Sequence, residues 1–333
     1  MTEKIAVIGG GAWGTALAML LADKRHEVTL WMYEKELAEE TARTRENRVY
    51  LPGFILPPSI IITASLETAV RGKSVLLSVV PSHTVRVVAG QYAPFLEKDA
   101  IIISASKGIE IDTLMPLSEI FKDVLPKEFH GRLCFLSGPS FAREVASKMP
   151  TAIALASSDP ALGKKAQAVL SNDYFRVYTN DDIVGVELAG ALKNIVAIAA
   201  GVLEGMGYGS NTLAALLTRG LVEMARLGVA MGGKPSTFAG LAGMGDLVLT
   251  CTGGLSRNRT LGARLGRGEK LDAIMKETRT VAEGVKTARA ARDLARKYKI
   301  DMPIVDEVYQ LLYEGKAPTL ALKDLMAREL KGE

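Results

Sequence analysis

Short apolar runs alternate with helical patterns through the first half of the chain: Ile5-Ala6-Val7-Ile8, Val28-Thr29-Leu30-Trp31, Val75-Leu76-Leu77, Ile101-Ile102-Ile103, Leu133-Cys134-Phe135-Leu136 and Ala152 to Ala156. Strands that are apolar at nearly every position are buried on both faces, so the alternation predicts an α/β fold built on a doubly wound parallel sheet. Proline and glycine punctuate it. Pro52-Gly53 and Pro57-Pro58 break the chain after the second helix, and Pro81 ends the strand of Leu76-Leu77. A last strand is expected to include Phe175 to Tyr178. Beyond Asn180 the period becomes helical, with long helices over Ile183 to Gly205 and Asn211 to Met231, then helical stretches near Val285 to Tyr298, Val305 to Tyr313 and Thr319 to Leu330. The boundary is expected near residue 180, dividing an α/β domain (1–180) from an all-helical one (181–333). Gly240 to Gly254, with polar and charged residues close behind, reads as a functional loop.

Two domains also suit a length of 333 residues, since each half is long enough to bury a core of its own. Lys and Arg number 41 against 37 Asp and Glu, a net charge of +4 without a basic block, which disfavours a nucleic-acid partner. The basic stretch Ala288 to Lys297 is expected to be a solvated helix face. The longest unbroken apolar run, Ile195 to Leu203, falls short of the roughly 18 residues of a membrane span, so no membrane insertion is expected. Cys134 and Cys251 are far apart and lack metal-ligand spacing. Neither a disulfide framework nor a metal site is expected, and a reducing cytoplasm fits. Strand-like residues begin at Lys4 and leave no room for a secretory signal, so the mature chain is expected to start at Met1. His26, His83 and His130 have no metal or triad spacing and read as surface or capping residues.

Directly after the first strand stands Gly9-Gly10-Gly11-Ala12-Trp13-Gly14, in which Gly9, Gly11 and Gly14 satisfy G-x-G-x-x-G. The first glycine turns the chain, the second lets backbone approach a pyrophosphate, and the third lets helix and strand pack closely. Phosphate oxygens then face a helix N-terminus, where unpaired N–H groups and the helix dipole favour negative charge. With a strand before it, a helix after it and a second strand following Asp23 to His26, the motif indicates a Rossmann-type dinucleotide-binding domain. At the end of that second strand the chain reads Trp31-Met32-Tyr33-Glu34-Lys35. Glu34 stands where an acid would hold a ribose 2′-hydroxyl, whereas Lys35 beside it would neutralise a 2′-phosphate. NAD and NADP both remain open at this stage.

Within Leu188 to Ile198, Lys193 and Asn194 interrupt a helix that is otherwise apolar almost all round, which is the pattern of a buried helix. The neighbours of Lys193 one turn away are Ala189, Gly190, Val196 and Ala197, so no local salt bridge accounts for it. An amine whose proton affinity burial lowers is a usable acid near neutral pH. Three other segments supply matching chemistry. Ser106-Lys107-Gly108 and Gly138-Pro139-Ser140 each follow a strand, at the sheet edge where open α/β folds bind ligands. Gly245-Asp246-Leu247 runs on into Ser256-Arg257-Asn258-Arg259, and together these sites read as a polar cluster for a small anionic substrate.

These segments resemble, in order and from end to end, the bacterial NAD(P)-dependent sn-glycerol-3-phosphate dehydrogenases. The motifs carrying the resemblance are Gly9 to Gly14, Val80-Pro81-Ser82-His83, Ser106-Lys107-Gly108, Leu136 to Ala142, Leu192-Lys193-Asn194, Gly245-Asp246-Leu247, Ser256 to Arg259 and Val281-Ala282-Glu283-Gly284. The resemblance implies hydride transfer between NAD(P)H and dihydroxyacetone phosphate, giving sn-glycerol 3-phosphate for phospholipid synthesis in a cytoplasmic homodimer. It implies that Lys193 is the proton donor or acceptor, with Lys107 and Asn194 polarising or orienting the carbonyl and Asp246 holding Lys193 or a substrate hydroxyl. Lys107, Gly138, Ser140, Lys193, Asp246, Ser256, Arg257 and Asn258 would line the substrate site. Gly9, Gly11, Ala12, Trp13, Gly14, Tyr33, Lys107, Ala142, Arg257, Val281 and Glu283 would contact the cofactor. Tyr33 departs from the family, many of whose members carry a basic residue there. Two other readings stand beside this one. A hydroxy-acid reductase of the same layout would not need Ser256-Arg257-Asn258, and a dinucleotide sensor without catalysis would not need a buried Lys193.

Overall fold

A computed structural model describes residues 2–277, 282–330 and 332. The chain forms two compact units, one made of the residues up to Lys107 with Met115–Glu187, the other of Gly108–Leu114 with the residues from Leu188 onward.

The first unit is an eight-stranded sheet: β1 (Lys4–Ile8), β2 (Glu27–Trp31), β3 (Ile61–Thr63), β4 (Val75–Ser78), β5 (Ile101–Ser104), β6 (Leu133–Ser137), β7 (Thr151–Ser157) and β8 (Phe175–Asn180), in spatial order β3-β2-β1-β4-β5-β6-β7-β8. Helices α1 (Ala12–Asp23), α2 (Lys35–Thr44), α3 (Leu66–Val70), α4 (Val85–Tyr92), α5 (Leu117–Val124), α6 (Ala142–Ala146) and α7 (Pro160–Leu170) lie between the strands along the chain. Ile5, Val7, Leu30, Leu77 and Ile103 are fully buried, as uniformly apolar strands require. The order of strands reverses between β1 and β4, which places a crevice beside the turn that follows β1.

The expectation of a parallel sheet needs one correction: β7 runs antiparallel to β6, while the other strand pairs are parallel. The only helix between β6 and β7 is α6, of five residues. At about 1.5 Å per residue it is too short to carry the chain back along a strand for parallel pairing. β3 was not anticipated, because it has three residues and lies at the sheet edge with Ile61 58% exposed. His26 is likewise a correction. It is buried rather than on the surface, its Nδ1 accepting the Glu3 N–H (3.0 Å) and its Nε2 lying 3.2 Å from the Val169 carbonyl. His130 sits 3.1 Å from the Leu125 carbonyl at the end of α5, a capping position.

The second unit is helical. It takes up α8 (Ile183–Gly205) from Leu188 onward, then α9 (Ser210–Ala230), α10 (Pro235–Phe238), α11 (Asp246–Thr252), α12 (Arg257–Gly266), α13 (Leu271–Glu277), α14 (Glu283–Tyr298), α15 (Pro303–Tyr313) and α16 (Pro318–Met326). α8 keeps the bounds expected from its sequence. It is long and apolar enough to cross a membrane, but 83% of its most apolar window is buried inside the protein, as for a core helix. A third correction concerns Gly240 to Gly254, which is mostly helix: a π-helical turn over Leu241–Gly245 leads into α11. The glycines there serve close packing, since a Cβ on Gly243 would lie 2.0 Å from the Phe238 carbonyl oxygen.

Burial of a carboxylate inside this unit has a measurable consequence. Glu223 of α9 is 4% exposed and accepts the backbone N–H groups of Ile304 (2.9 and 3.1 Å) and Val305 (3.3 Å) in the first turn of α15. Burial pushes its carboxyl up from 4.5 to about 7 against the opposing pull of those two N–H groups. A carboxyl raised in this way binds its proton more tightly in the folded than in the unfolded chain, so its contribution to stability falls as pH climbs from about 4.5 to about 7. Glu223→Gln keeps an acceptor for the helix end and removes the titration. Urea midpoints of wild type and variant should therefore diverge in the variant's favour between pH 5 and 8. Parallel curves would remove Glu223 from the pH dependence.

Candidate active site

In the first unit, Gly9, Gly11 and Gly14 take three different physical roles. Gly9 has φ +123° where β1 ends, and its N–H donates to the Trp31 carbonyl (3.1 Å), joining the turn to the end of β2. A Cβ on Gly14 would lie 1.9 Å from the Gly9 carbonyl oxygen, so helix and turn could not pack as they do. Around Gly11 a Cβ would meet nothing within 4 Å. Gly11 is also the N-cap of α1, where no side chain caps the first N–H groups. Open space above bare backbone at an uncapped helix N-terminus fits a pyrophosphate. The same facts predict that Gly11→Val folds but binds both NADH and NADPH about tenfold or more weakly, because the branched side chain fills the anion's approach. Titration calorimetry on the folded variant checks this, and unchanged affinity for both would end the assignment of a dinucleotide to this turn.

Other expected residues lie at the same sheet edge. Lys107 follows β5 and its Nζ lies 3.4 Å from the carbonyl of Gly138, which follows β6. The Ser140 hydroxyl donates to that same carbonyl (3.0 Å), so Lys107, Gly138 and Ser140 are together. Trp13 and Ala142 pack in one small cluster with Ala12, Leu51 and Phe54. Tyr33 is 79% exposed, edge-on to Trp31 at 6.2 Å between ring centroids. An unanticipated residue stands beneath the turn. Asn47, fully buried, donates from Nδ2 to the Gly10 carbonyl (2.7 Å) and to Thr15 Oγ1 (2.9 Å), and its Oδ1 accepts the Tyr50 N–H (3.2 Å). Nothing in an isolated loop asparagine signalled this.

In the second unit, Lys193 finds the partner that its own helix lacks. Its Nζ donates to Asp246 Oδ1 and to Thr250 Oγ1 (2.7 Å), with Lys193 7%, Asp246 1% and Thr250 5% exposed. Thr250 in turn donates to the Asp246 backbone carbonyl (2.6 Å). Asp246 and Thr250 are one turn apart on α11, so a single helix face presents both to the lysine. Thr250 was not expected as a site residue, because the i, i+4 relation to Asp246 is visible only once this segment is read as helix. A buried ammonium tied to a buried carboxylate is costly to maintain for packing alone.

The remaining residues of this unit sort by what their polar atoms do. Asn258 donates from Nδ2 to Asn194 Oδ1 (2.9 Å) and accepts the Gly284 N–H on Oδ1 (3.0 Å), so it ties α8, α12 and the start of α14 together. Close backbone contact makes this possible: a Cβ on Gly201 of α8 would lie 2.0 Å from the Arg259 carbonyl oxygen of α12. Ser256 is the N-cap of α12, its hydroxyl accepting the Arg259 N–H (3.2 Å). Arg257 is exposed in the first turn of α12 and, among the described residues, has no ion-pair partner. Glu283 opens α14, and Val281 lies outside the described residues. A cavity of about 490 Å³, lined by apolar residues such as Val202, Leu216 and Val308 together with charged ones such as Arg219 and Glu307, holds neither Lys193 nor Asp246, so it is not the place of the chemistry.

Comparison with known proteins bears on the family. The chain matches the family described as NAD-dependent glycerol-3-phosphate dehydrogenase N-terminus over residues 4–163, and the corresponding C-terminus family over residues 182–323. It is 58% identical over 333 residues to the glycerol-3-phosphate dehydrogenase (NAD(P)+) of Citrifermentans bemidjiense, covering 100% of this chain and 99% of that one. To the protein of the same name from Geobacter sulfurreducens it is 55% identical over the same shares. Among solved structures, the 2.1 Å crystal structure of glycerol-3-phosphate dehydrogenase from Coxiella burnetii superposes with a TM-score of 0.93 at 39% identity, over 98% of this chain and 99% of that one. With both halves matched and identity above one half from end to end, the chain belongs to the NAD-dependent glycerol-3-phosphate dehydrogenase family.

Proposed function

We propose that this protein is an NAD(P)-dependent glycerol-3-phosphate dehydrogenase that reversibly reduces dihydroxyacetone phosphate to sn-glycerol 3-phosphate. The observation that carries the reading is the buried Lys193 held by Asp246 and Thr250, an acid–base device beyond what a binding protein needs. When bound, the nicotinamide supplies or accepts the hydride at C2 of the substrate. As the C2 carbonyl oxygen gains negative charge, Lys193 gives it a proton; in the reverse direction the neutral amine takes the proton from the hydroxyl. Asp246 and Thr250 hold the amine in place, so that little reorganisation accompanies the transfer. Lys107 and Asn194 help polarise or orient the carbonyl, and Gly138 and Ser140 line the substrate site with Ser256. Arg257 and Asn258 take the phosphate, the guanidinium offering a planar fork to its oxygens. By the family resemblance, Trp13, Tyr33, Ala142, Val281 and Glu283 are the cofactor contacts. In this reading residues 1–180 bind the dinucleotide and 181–333 carry the substrate and proton chemistry.

The resemblance to bacterial enzymes supports a cytoplasmic homodimer that makes glycerol 3-phosphate for phospholipids, with neither membrane nor nucleic acid as partner. The test is steady-state oxidation of NADH and of NADPH with dihydroxyacetone phosphate, beside unphosphorylated dihydroxyacetone. Rapid turnover confined to the phosphorylated ketone is expected. Equal rates with both ketones would sink the substrate assignment, and no oxidation with either would sink the activity.

A further inference from the structure

The end of β2 reaches the glycine turn with a defined geometry and a defined charge. Glu34 is the N-cap of α2, yet its side chain does not cap the helix. Its Oε1 instead accepts the Tyr50 hydroxyl proton at 3.0 Å. Tyr50 comes from a different segment, and that segment is fastened to the turn itself: Asn47 accepts the Tyr50 N–H and donates to the Gly10 carbonyl. The Glu34 carboxylate is thereby placed with respect to the same backbone that fits the pyrophosphate.

Three cations of the same stretch of chain have partners of their own. Arg45 donates its guanidinium to the carbonyls of Pro57 and Ile60, the latter at 2.9 Å. Arg48 pairs with Glu46 (3.1 Å) and Glu40 (3.9 Å). Lys35 follows its own helix to Glu39 (3.9 Å). Glu34 therefore presents a carboxylate steadied by a neutral hydroxyl. A ribose diol donates hydrogen bonds to such a group, whereas a 2′-phosphate meets it as like charge against like.

We infer that this chain selects NADH over NADPH, with Glu34 as the discriminating residue and Tyr50 as the positioning residue that sets its carboxylate beside the glycine turn. The inference rests on the dinucleotide reading above and adds to it the choice of cofactor. Tyr33, the residue before it, supplies no charge to offset Glu34.

Direct binding tests it without a need for turnover. Dissociation constants for NADH and NADPH would be measured by titration calorimetry on the wild type, Glu34→Gln and Tyr50→Phe. Wild type should bind NADH about tenfold or more tightly than NADPH, the scale of one like-charge contact near the protein surface. Glu34→Gln should bring the two constants close together, chiefly by tightening NADPH. Tyr50→Phe should shift the ratio in the same direction by about two- to fivefold, since the carboxylate is kept but less well placed. A merely structural Tyr50 would weaken both cofactors alike and leave the ratio unmoved, which would overturn its positioning role. NADPH binding as tightly as NADH to the wild type, or a ratio unchanged in Glu34→Gln, would overturn the selectivity while the dinucleotide reading stands. If neither cofactor binds, that reading fails and the inference with it.

Discussion

Lys193→Met is expected to lower turnover by about 10²- to 10⁴-fold, the range for a lost general acid, while NADH still binds. Methionine keeps an unbranched stem in a site only 7% exposed, so packing along α8 is preserved and the proton is removed. The substitution also strands the Asp246 carboxylate, which is 1% exposed. Breaking a buried pair from one side costs roughly 3–5 kcal/mol of stability, so the single variant will melt early. Lys193→Met with Asp246→Asn removes the stranded charge, and it should recover much of the stability but none of the turnover. Urea unfolding and steady-state rates on the two variants separate the contributions. A folded Lys193→Met protein turning over near the wild-type rate would take Lys193 out of the mechanism and point to Lys107.

Arg257→Ala carries the second large effect. It should reduce catalytic efficiency with dihydroxyacetone phosphate by about 10- to 100-fold, the scale of a charged hydrogen-bonded contact, and leave efficiency with unphosphorylated dihydroxyacetone nearly as it was. Arg257 is exposed at the start of α12 with no ion-pair partner among the described residues, so its guanidinium is available to an anion without first breaking a bond. Arg257→Lys keeps the charge but loses the planar fork and should fall between wild type and alanine. The ratio of the two efficiencies is the deciding quantity, because a general loss of cofactor binding would lower both together. An unchanged ratio would move the phosphate to other donors. Arg259 is a weaker substitute, since it pairs with Glu204 at 2.9 Å, and backbone N–H groups near Gly138 to Ser140 would then be examined first.

Local periodicity alone determined much of this protein. The apolar runs marked seven of the eight strands, and the bounds of α8 matched because a buried helix carries its burial in its own composition. The glycine turn was legible for a similar reason: each glycine answers a local steric demand that its spacing already states. The isolation of Lys193 on an apolar helix was legible as well, but periodicity did not supply its partner; only the family resemblance offered Asp246, as holding either Lys193 or a substrate hydroxyl. Asp246 lies 53 residues away, and periodicity reports that a face is buried without reporting against what. The same limit explains why Gly240 to Gly254 read as a loop. Glycine has a low helix propensity, and only the close approach to Phe238 shows what those glycines permit and how Thr250 comes to face Lys193. The reversal of β7, the engagement of both ends of the Asn258 amide, and the bond from Tyr50 to Glu34 all join residues distant along the chain. Such contacts depend on the angles and lengths of every intervening element, and those are decided by tertiary packing rather than by any local run of residues.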